Sequence, residues 1–237
     1  MEGQVNTVII TGASKGIGHA TALKFLAAGY QVFNLSRSAA ATPGITDIAI
    51  DLSSADFEAV ITAKLLPQIG SPEKLILIHN AAKLASGSLQ ETSGEALADI
   101  LALNVTAPQR LNRLFLPVMS AGSAILYVGS TLSEKAVANS FTYVTSKHAM
   151  LGMMRATCQD LAGLKIHTAC ICPGFTDTEM LRAHVGQDPD ILDSIAGGSA
   201  FGRLIEPTEI ADLLFFSAEN PIINGAVLHG NLGQIES

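Results

Sequence analysis

Short runs of Val, Ile and Leu alternate along this chain with stretches whose apolar residues return every three or four positions. Residues 5–11 form the first run, and residues 16–28 follow with Ile17, Ala20, Leu23, Phe25 and Leu26 at helical intervals. The pattern predicts further strands at 31–35, 45–50, 75–79, 124–128, 165–171 and 226–229. It predicts helices at 55–66, 142–161 and 208–217, and a long helix over 95–119 that runs through Pro108. Such alternation implies a parallel sheet with helices on both faces. Central strands of such a sheet are buried on both sides and read as unbroken apolar runs, as Leu75-Ile76-Leu77-Ile78 and Ala124-Ile125-Leu126-Tyr127-Val128 do. The expected fold is α/β, one doubly wound domain over residues 1–237 with a central sheet of about seven strands. The irregular segment at about 175–207 contains Gly186, Pro189, Gly197, Gly198 and Gly202. It is expected to be a mobile substrate flap with one or two short helices, placed after a strand's carboxyl end where ligands bind.

The composition narrows the choice of partners. Of 237 residues, 48% are hydrophobic and 15% charged, and the net charge is -7 with no long basic stretch, which argues against nucleic acid. No apolar run is long enough to span a bilayer, and Met-Glu-Gly-Gln at the start carries no secretory pattern, so a cytoplasmic location is expected. Cys158, Cys170 and Cys172 give no disulfide framework and read as small core residues. His79, His148, His167, His184 and His229 lack metal-ligand spacing, so no metal is expected.

Two local patterns carry chemistry. Thr11-Gly12-Ala13-Ser14-Lys15-Gly16-Ile17-Gly18 joins the first strand to the first helix. Its glycines allow a tight turn and close backbone approach to a pyrophosphate, and the helix start supplies free N–H groups and a positive dipole end. The Rossmann-type dinucleotide site so implied normally reads the adenosine ribose at the end of the second strand, where a carboxylate would repel a 2′ phosphate. Here that end reads Leu35-Ser36-Arg37-Ser38. Arg37, helped by Lys15 from the turn, can grip a 2′ phosphate, which favours NADP over NAD. The second pattern is Tyr143 and Lys147, one turn apart on a predicted helix and so on one face. A free tyrosine titrates near pH 10, and a neighbouring ammonium favours its phenolate form. Ser130, thirteen residues earlier at a strand end, can hydrogen-bond a substrate carbonyl beside Tyr143.

Taken together these segments resemble the short-chain dehydrogenase/reductase family. The match runs through the glycine-rich turn, Asp51-Leu52, Asn80-Ala81-Ala82, Asn104, Ser130, Tyr143-Val-Thr-Ser-Lys147 and Pro173-Gly174 with Thr178, in the family's order and spacing. The resemblance implies Tyr143 as general acid, Lys147 as its activator and a ligand of the nicotinamide ribose, and Ser130 as the orienter of substrate. It implies that Asn104 holds a water of a proton relay through its main chain. Cofactor contacts are implied for Gly12, Ser14, Lys15, Gly16, Ile17 and Gly18, for Arg37, and for Asp51 at the adenine amino group with Leu52 beside it. They are also implied for Asn80, Ala81 and Ala82, for Pro173 and Gly174, and for Thr178 at the carboxamide. Two features depart from the family pattern. Ala82 replaces the usual Gly, and the 224–233 segment lacks the usual Asp-Gly-Gly ending, which bears on subunit contacts rather than chemistry. The family's dimers or tetramers, packed through the helices holding Asn104 and Tyr143, are the implied assembly.

The expected reaction is NADPH-dependent reduction of a small-molecule ketone, aldehyde or diketone. Leu84, Ala136, Val137, Phe175, Met180 and Leu181 would make its pocket apolar. Within the family the chain is similar to the sepiapterin and benzil reductase group, through a short loop after Arg37, Asn104-Val-Thr-Ala-Pro108 and Pro173-Gly-Phe-Thr-Asp177-Thr-x-Met180. In pterin-reducing relatives an acid at the Asp177 position can anchor the pterin, and in other members it serves as a local cap. A 3-oxoacyl thioester is a rival substrate. A redox sensor that holds NADP without turnover is a rival of another class, although a sensor has no need of Tyr143, Lys147, Ser130 and Asn104 together.

Overall fold

Seven parallel strands line up in the order β3-β2-β1-β4-β5-β6-β7 in a computed structural model that describes residues 5–186 and 188–234. Met1–Gln4, which carried the reading of the chain's start, and Gln187 of the expected flap lie outside the described residues. The strands are β1 (Thr7–Thr11), β2 (Gln31–Ser36), β3 (Ile45–Ala49), β4 (Leu75–His79), β5 (Ala124–Val128), β6 (His167–Pro173) and β7 (Val227–Gly230). Chain order reverses between β1, which pairs β2 on one side, and β4 on the other. In open parallel sheets ligands bind at this switch, beyond the carboxyl ends of the strands.

Two apolar layers cover the sheet. One face packs Val8, Ile10, Ile76, Ile78 and Leu126 beneath α1 (Gly16–Ala27) and α9 (Pro207–Glu219). The other packs Ile9, Leu75 and Leu77 beneath α2 (Phe57–Lys64) and α5 (Ala107–Phe115). Beside these, Ile125 and Tyr127 pack beneath α6 (Phe141–Asp160). β1, β4 and β5 are buried at every position, as their unbroken apolar runs require.

Three of the departures from the sequence pattern have a local reason. The long helix is broken into α4 (Gly94–Leu101), a wide π turn (Ala102–Thr106), α5 and a 3-10 turn (Leu116–Val118). Pro108 has no N–H and its ring crowds the carbonyl four residues back, that of Asn104, so the helix loosens there and Ala107 N–H bonds to Ala102. The 55–66 helix starts at Phe57 and stops at Lys64, because Pro67 begins a new short turn, α3 (Leu66–Ile69). The 165–171 strand starts at His167, because Lys165 sits at φ 56, outside the extended region. The expected flap region contains α7 (Glu179–Val185) and α8 (Pro189–Ala196).

Candidate active site

The glycine-rich turn leaves β1 and is bound to both neighbouring strands. Gly12 N–H donates to Leu35 O at 2.9 Å, and the Asn80 side-chain amide donates to Thr11 O and Gly12 O, each at 3.0 Å. Thr11 Oγ1 accepts from the N–H groups of Asn80 and Ala81, both at 2.9 Å. Gly12 and Gly16 hold φ of 73° and 56°, which glycine alone adopts freely. Gly18 is required by space: a Cβ there would lie 2.3 Å from Gly12 O. Lys15 sits at the N-cap of α1 with no side-chain cap, so the first N–H groups of the helix are left for another acceptor. This cradle, closed by Asn80 and Ala81 and bare of side chains at its glycines, fits a dinucleotide's pyrophosphate.

At the end of β2, Arg37 is exposed and no carboxylate stands beside it in Ser36-Arg37-Ser38. Asp51 Oδ1 accepts from the Ser53 hydroxyl at 2.6 Å and the Ser53 N–H at 2.9 Å. These bonds hold its carboxyl below the usual range, and the Arg37 guanidinium adds to the effect. Leu52 is buried next to it. Thr178 Oγ1 caps α7 by accepting from Leu181 N–H at 3.2 Å, and its methyl would lie 3.2 Å from a Cβ on Gly16. Pro173 ends β6, and Gly174 N–H bonds to Gly230 O at 3.0 Å.

Tyr143 and Lys147 share one face of α6. Lys147 is 2% exposed; its Nζ lies 5.5 Å from the Tyr143 ring centroid and donates to Val128 O at 2.7 Å. That carbonyl is two residues before Ser130, so the ammonium ties α6 to the strand end that carries the serine. Ser130 opens a 3-10 turn (Thr131–Ser133) that packs against α6. Its Oγ accepts from Leu132 N–H at 3.1 Å, and its N–H donates to Ser133 Oγ at 3.1 Å. Gly129 lets this turn settle on β6, where a Cβ would meet Cys170 Sγ at 2.7 Å and Cys172 Sγ at 2.9 Å. The two buried sulfurs are 3.8 Å apart, and Cys158, Cys170 and Cys172 are all free thiols.

Asn104 is fully buried at the centre of the π turn. Its Oδ1 accepts from Lys83 N–H at 2.8 Å, and its Nδ2 donates to Lys83 O and Ser146 Oγ, each at 3.0 Å. Ser146 Oγ in turn donates to Tyr143 O at 2.8 Å. The side chain is consumed, whereas its main-chain carbonyl lacks the donor four residues on, because that residue is Pro108.

Other residues brace the site through hydrogen bonds. Asn34 on β2 bonds the glycine-rich turn, and Ser133 and Ser146 brace Ser130 and Asn104. A single polar residue in the apolar run Val32-Phe33-Asn34-Leu35 was the available flag. Asp177 places both oxygens on Arg182, at 2.7 Å from Nε and Nη2, which holds its carboxyl below the usual range. A cavity of about 660 Å³ lies between α1, α7 and α9. It touches Gly16 and Thr178 but not Ser130, Tyr143 or Lys147. Among the described residues no group of His, Cys, Asp or Glu has a metal-binding arrangement, and no helix is long and apolar enough to cross a membrane.

The family model described as enoyl-(acyl carrier protein) reductase matches residues 12–234, from the first glycine of the turn past the last strand. The chain belongs to the short-chain dehydrogenase/reductase family. It is 26% identical over 250 residues to the 3-oxoacyl-[acyl-carrier-protein] reductase FabG of Pseudomonas aeruginosa, covering 99% of each chain. Among solved structures it is similar to ligand-free aldohexose dehydrogenase of Thermoplasma acidophilum, with a TM-score of 0.89, 27% identity and coverage of 97% of this chain and 94% of that one. It is also similar to the angucycline C-6 ketoreductase LanV with bound NADP, with a TM-score of 0.84, 27% identity and coverage of 96% and 95%. Short-chain dehydrogenases bind a nicotinamide cofactor, and this chain is an oxidoreductase of that kind.

Proposed function

We propose that this protein is an NADPH-dependent carbonyl reductase in which Tyr143 is the general acid. The observation that carries the reading is the anchored Lys147 ammonium, 5.5 Å from the Tyr143 ring centroid and bonded to the strand end that leads into Ser130. A reduced nicotinamide held by the glycine-rich turn and Lys147 would supply the hydride. Tyr143 gives its proton to the carbonyl oxygen, and Lys147 offsets the negative charge left on the phenol oxygen. One Lys147 proton is spent on Val128 O, which leaves two donors for the ribose hydroxyls. Ser130 Oγ is used as an acceptor by Leu132 N–H, which leaves its own O–H to donate to the substrate oxygen. The Asn104 carbonyl, denied the donor four residues on by Pro108, is the acceptor assigned to the water that reprotonates this set.

NADP is supported by exposed Arg37 and the missing acid at the end of β2, and by the NADP-bound ketoreductase of similar fold. A 3-oxoacyl thioester is the substrate class favoured by the FabG relative, ahead of small diketones. The segment at 175–207 closes over that substrate. The test is NADPH oxidation by the full chain with a panel of 3-oxoacyl thioesters, diketones and aldehydes, alongside cofactor binding by Arg37→Asp. Turnover with at least one panel member, and NADPH affinity falling at least tenfold more than NADH affinity, are expected. Equal losses for the two cofactors remove the NADP assignment. NADPH binding with no turnover on any carbonyl favours the sensor instead.

A further inference from the structure

We infer that Asn34 and Asp47 are a pair of positioning residues that set cofactor choice by fixing the loop that carries Arg37; the inference rests on the NADP reading above. Asn34 lies in the middle of β2, 1% exposed, on the sheet face beneath the turn. A buried side-chain amide is tolerated only when its polar atoms are bonded, and here they reach three separate segments. Oδ1 accepts from Ala13 N–H in the glycine-rich turn at 2.9 Å. Nδ2 donates to Asp47 Oδ1 on β3 at 2.7 Å and to Ser38 O at 3.3 Å. The same Asp47 oxygen accepts from Ala40 N–H at 2.9 Å, and Ser38 O takes a second bond from the Ser36 hydroxyl at 2.6 Å.

The residue after Ser36 is Arg37, so the arginine is held by bonds at the residues on both sides of it. The loop is drawn tightly enough that Ala41 takes a φ of 52°. The amide cannot be turned over, because its oxygen would then face a carboxylate and a carbonyl, both acceptors. Asn34 therefore couples the backbone that meets the pyrophosphate to the loop proposed to meet the 2′ phosphate. It does so without touching either group. Ion pairs of a guanidinium with phosphate depend on placement, and an error of ~1 Å in a charge-assisted contact costs tenfold or more.

The experiment measures NADPH and NADH dissociation constants by calorimetry for the full chain and for Asp47→Ala, Asn34→Asp and the double variant Asn34→Asp with Asp47→Asn. Arg37→Asp serves as reference. Asp47→Ala, on an exposed position of the edge strand, is expected to raise the NADPH constant ~10-fold and leave the NADH constant within ~2-fold. Asn34→Asp sets two carboxylates against each other and is expected to lose at least as much. The double variant restores one donor facing an acceptor but leaves a carboxylate oxygen against Ser38 O and an amide against Ala40 N–H, so it is expected to recover part of the loss in the NADPH-to-NADH ratio, which a merely structural role would not predict. Hydrogen exchange at Ala40 N–H in the cofactor-free protein, slow in the parent and fast in Asp47→Ala, reads the clamp directly. The inference is overturned if Asp47→Ala keeps the parent ratio while Arg37→Asp changes it. If Arg37→Asp also keeps the parent ratio, the NADP reading itself has failed and takes the inference with it.

Discussion

Replacing Gly18 by alanine sets two effects of opposite sign against each other. In a helix interior alanine is favoured over glycine by ~1 kcal/mol, so propensity alone predicts a more stable protein. The site predicts the reverse. The added Cβ would stand 2.3 Å from Gly12 O and 2.5 Å from Asn80 Nδ2, at least about 1 Å inside ordinary van der Waals contact. Neither neighbour is a free side-chain end: Gly12 N–H is bonded to Leu35 O, and Asn80 bonds both Thr11 O and Gly12 O. Overpacking costs ~1–3 kcal/mol, and displacing Asn80 forfeits bonds worth ~1 kcal/mol each. The balance is a destabilisation of about 2–3 kcal/mol, which for a chain of this length lowers Tm by about 5–10 °C. Calorimetric melting of the cofactor-free protein measures it, and NADPH titration should show affinity reduced at least tenfold. A Tm that stays level or rises, with unchanged NADPH affinity, refutes the close approach of α1 to the turn.

Other outcomes follow from single residues. His79 is buried with its Nε2 on Asn112 Oδ1 at 2.7 Å, and burial pushes its pKa down to about 4. Because the folded state resists protonation while the unfolded state accepts it near 6.5, stability is full above pH 6.5 and falls by about 3 kcal/mol as pH drops to 4. Urea melts of His79→Gln across that window should show a fall in stability smaller by this amount, and an unaltered fall contradicts the burial argument. Asn104→Ala leaves Lys83 N–H and O and the Ser146 hydroxyl without their partner, so the urea midpoint should fall by the equivalent of about 2–3 kcal/mol. An unshifted midpoint would mean that these bonds contribute no stability.

The central strands β4 and β5 were legible because they are buried at every position and read as apolar runs. The turn and the Tyr143–Lys147 pair were legible because their chemistry is tied to fixed spacing on one element. The helix break at 102–106 was not, since periodicity continues through it and only the missing N–H of Pro108 betrays the change of register. Asn34 was illegible for a related reason: its partners Ala13 and Asp47 are adjacent only after β1, β2 and β3 pair. The Asp177–Arg182 pair was not read from the sequence either, because the two residues meet only once the chain turns from β6 into α7.

The central claim is that the Tyr143 phenol, set beside the anchored Lys147, delivers the proton that completes reduction. Tyr143→Phe removes that one oxygen and keeps the ring against α6. Single-turnover rates with the best carbonyl of the panel, measured together with NADPH affinity, test it most directly. The account predicts a rate lower by at least ~10³-fold with NADPH binding within a few-fold of the parent. A variant that turns over at the parent rate contradicts it.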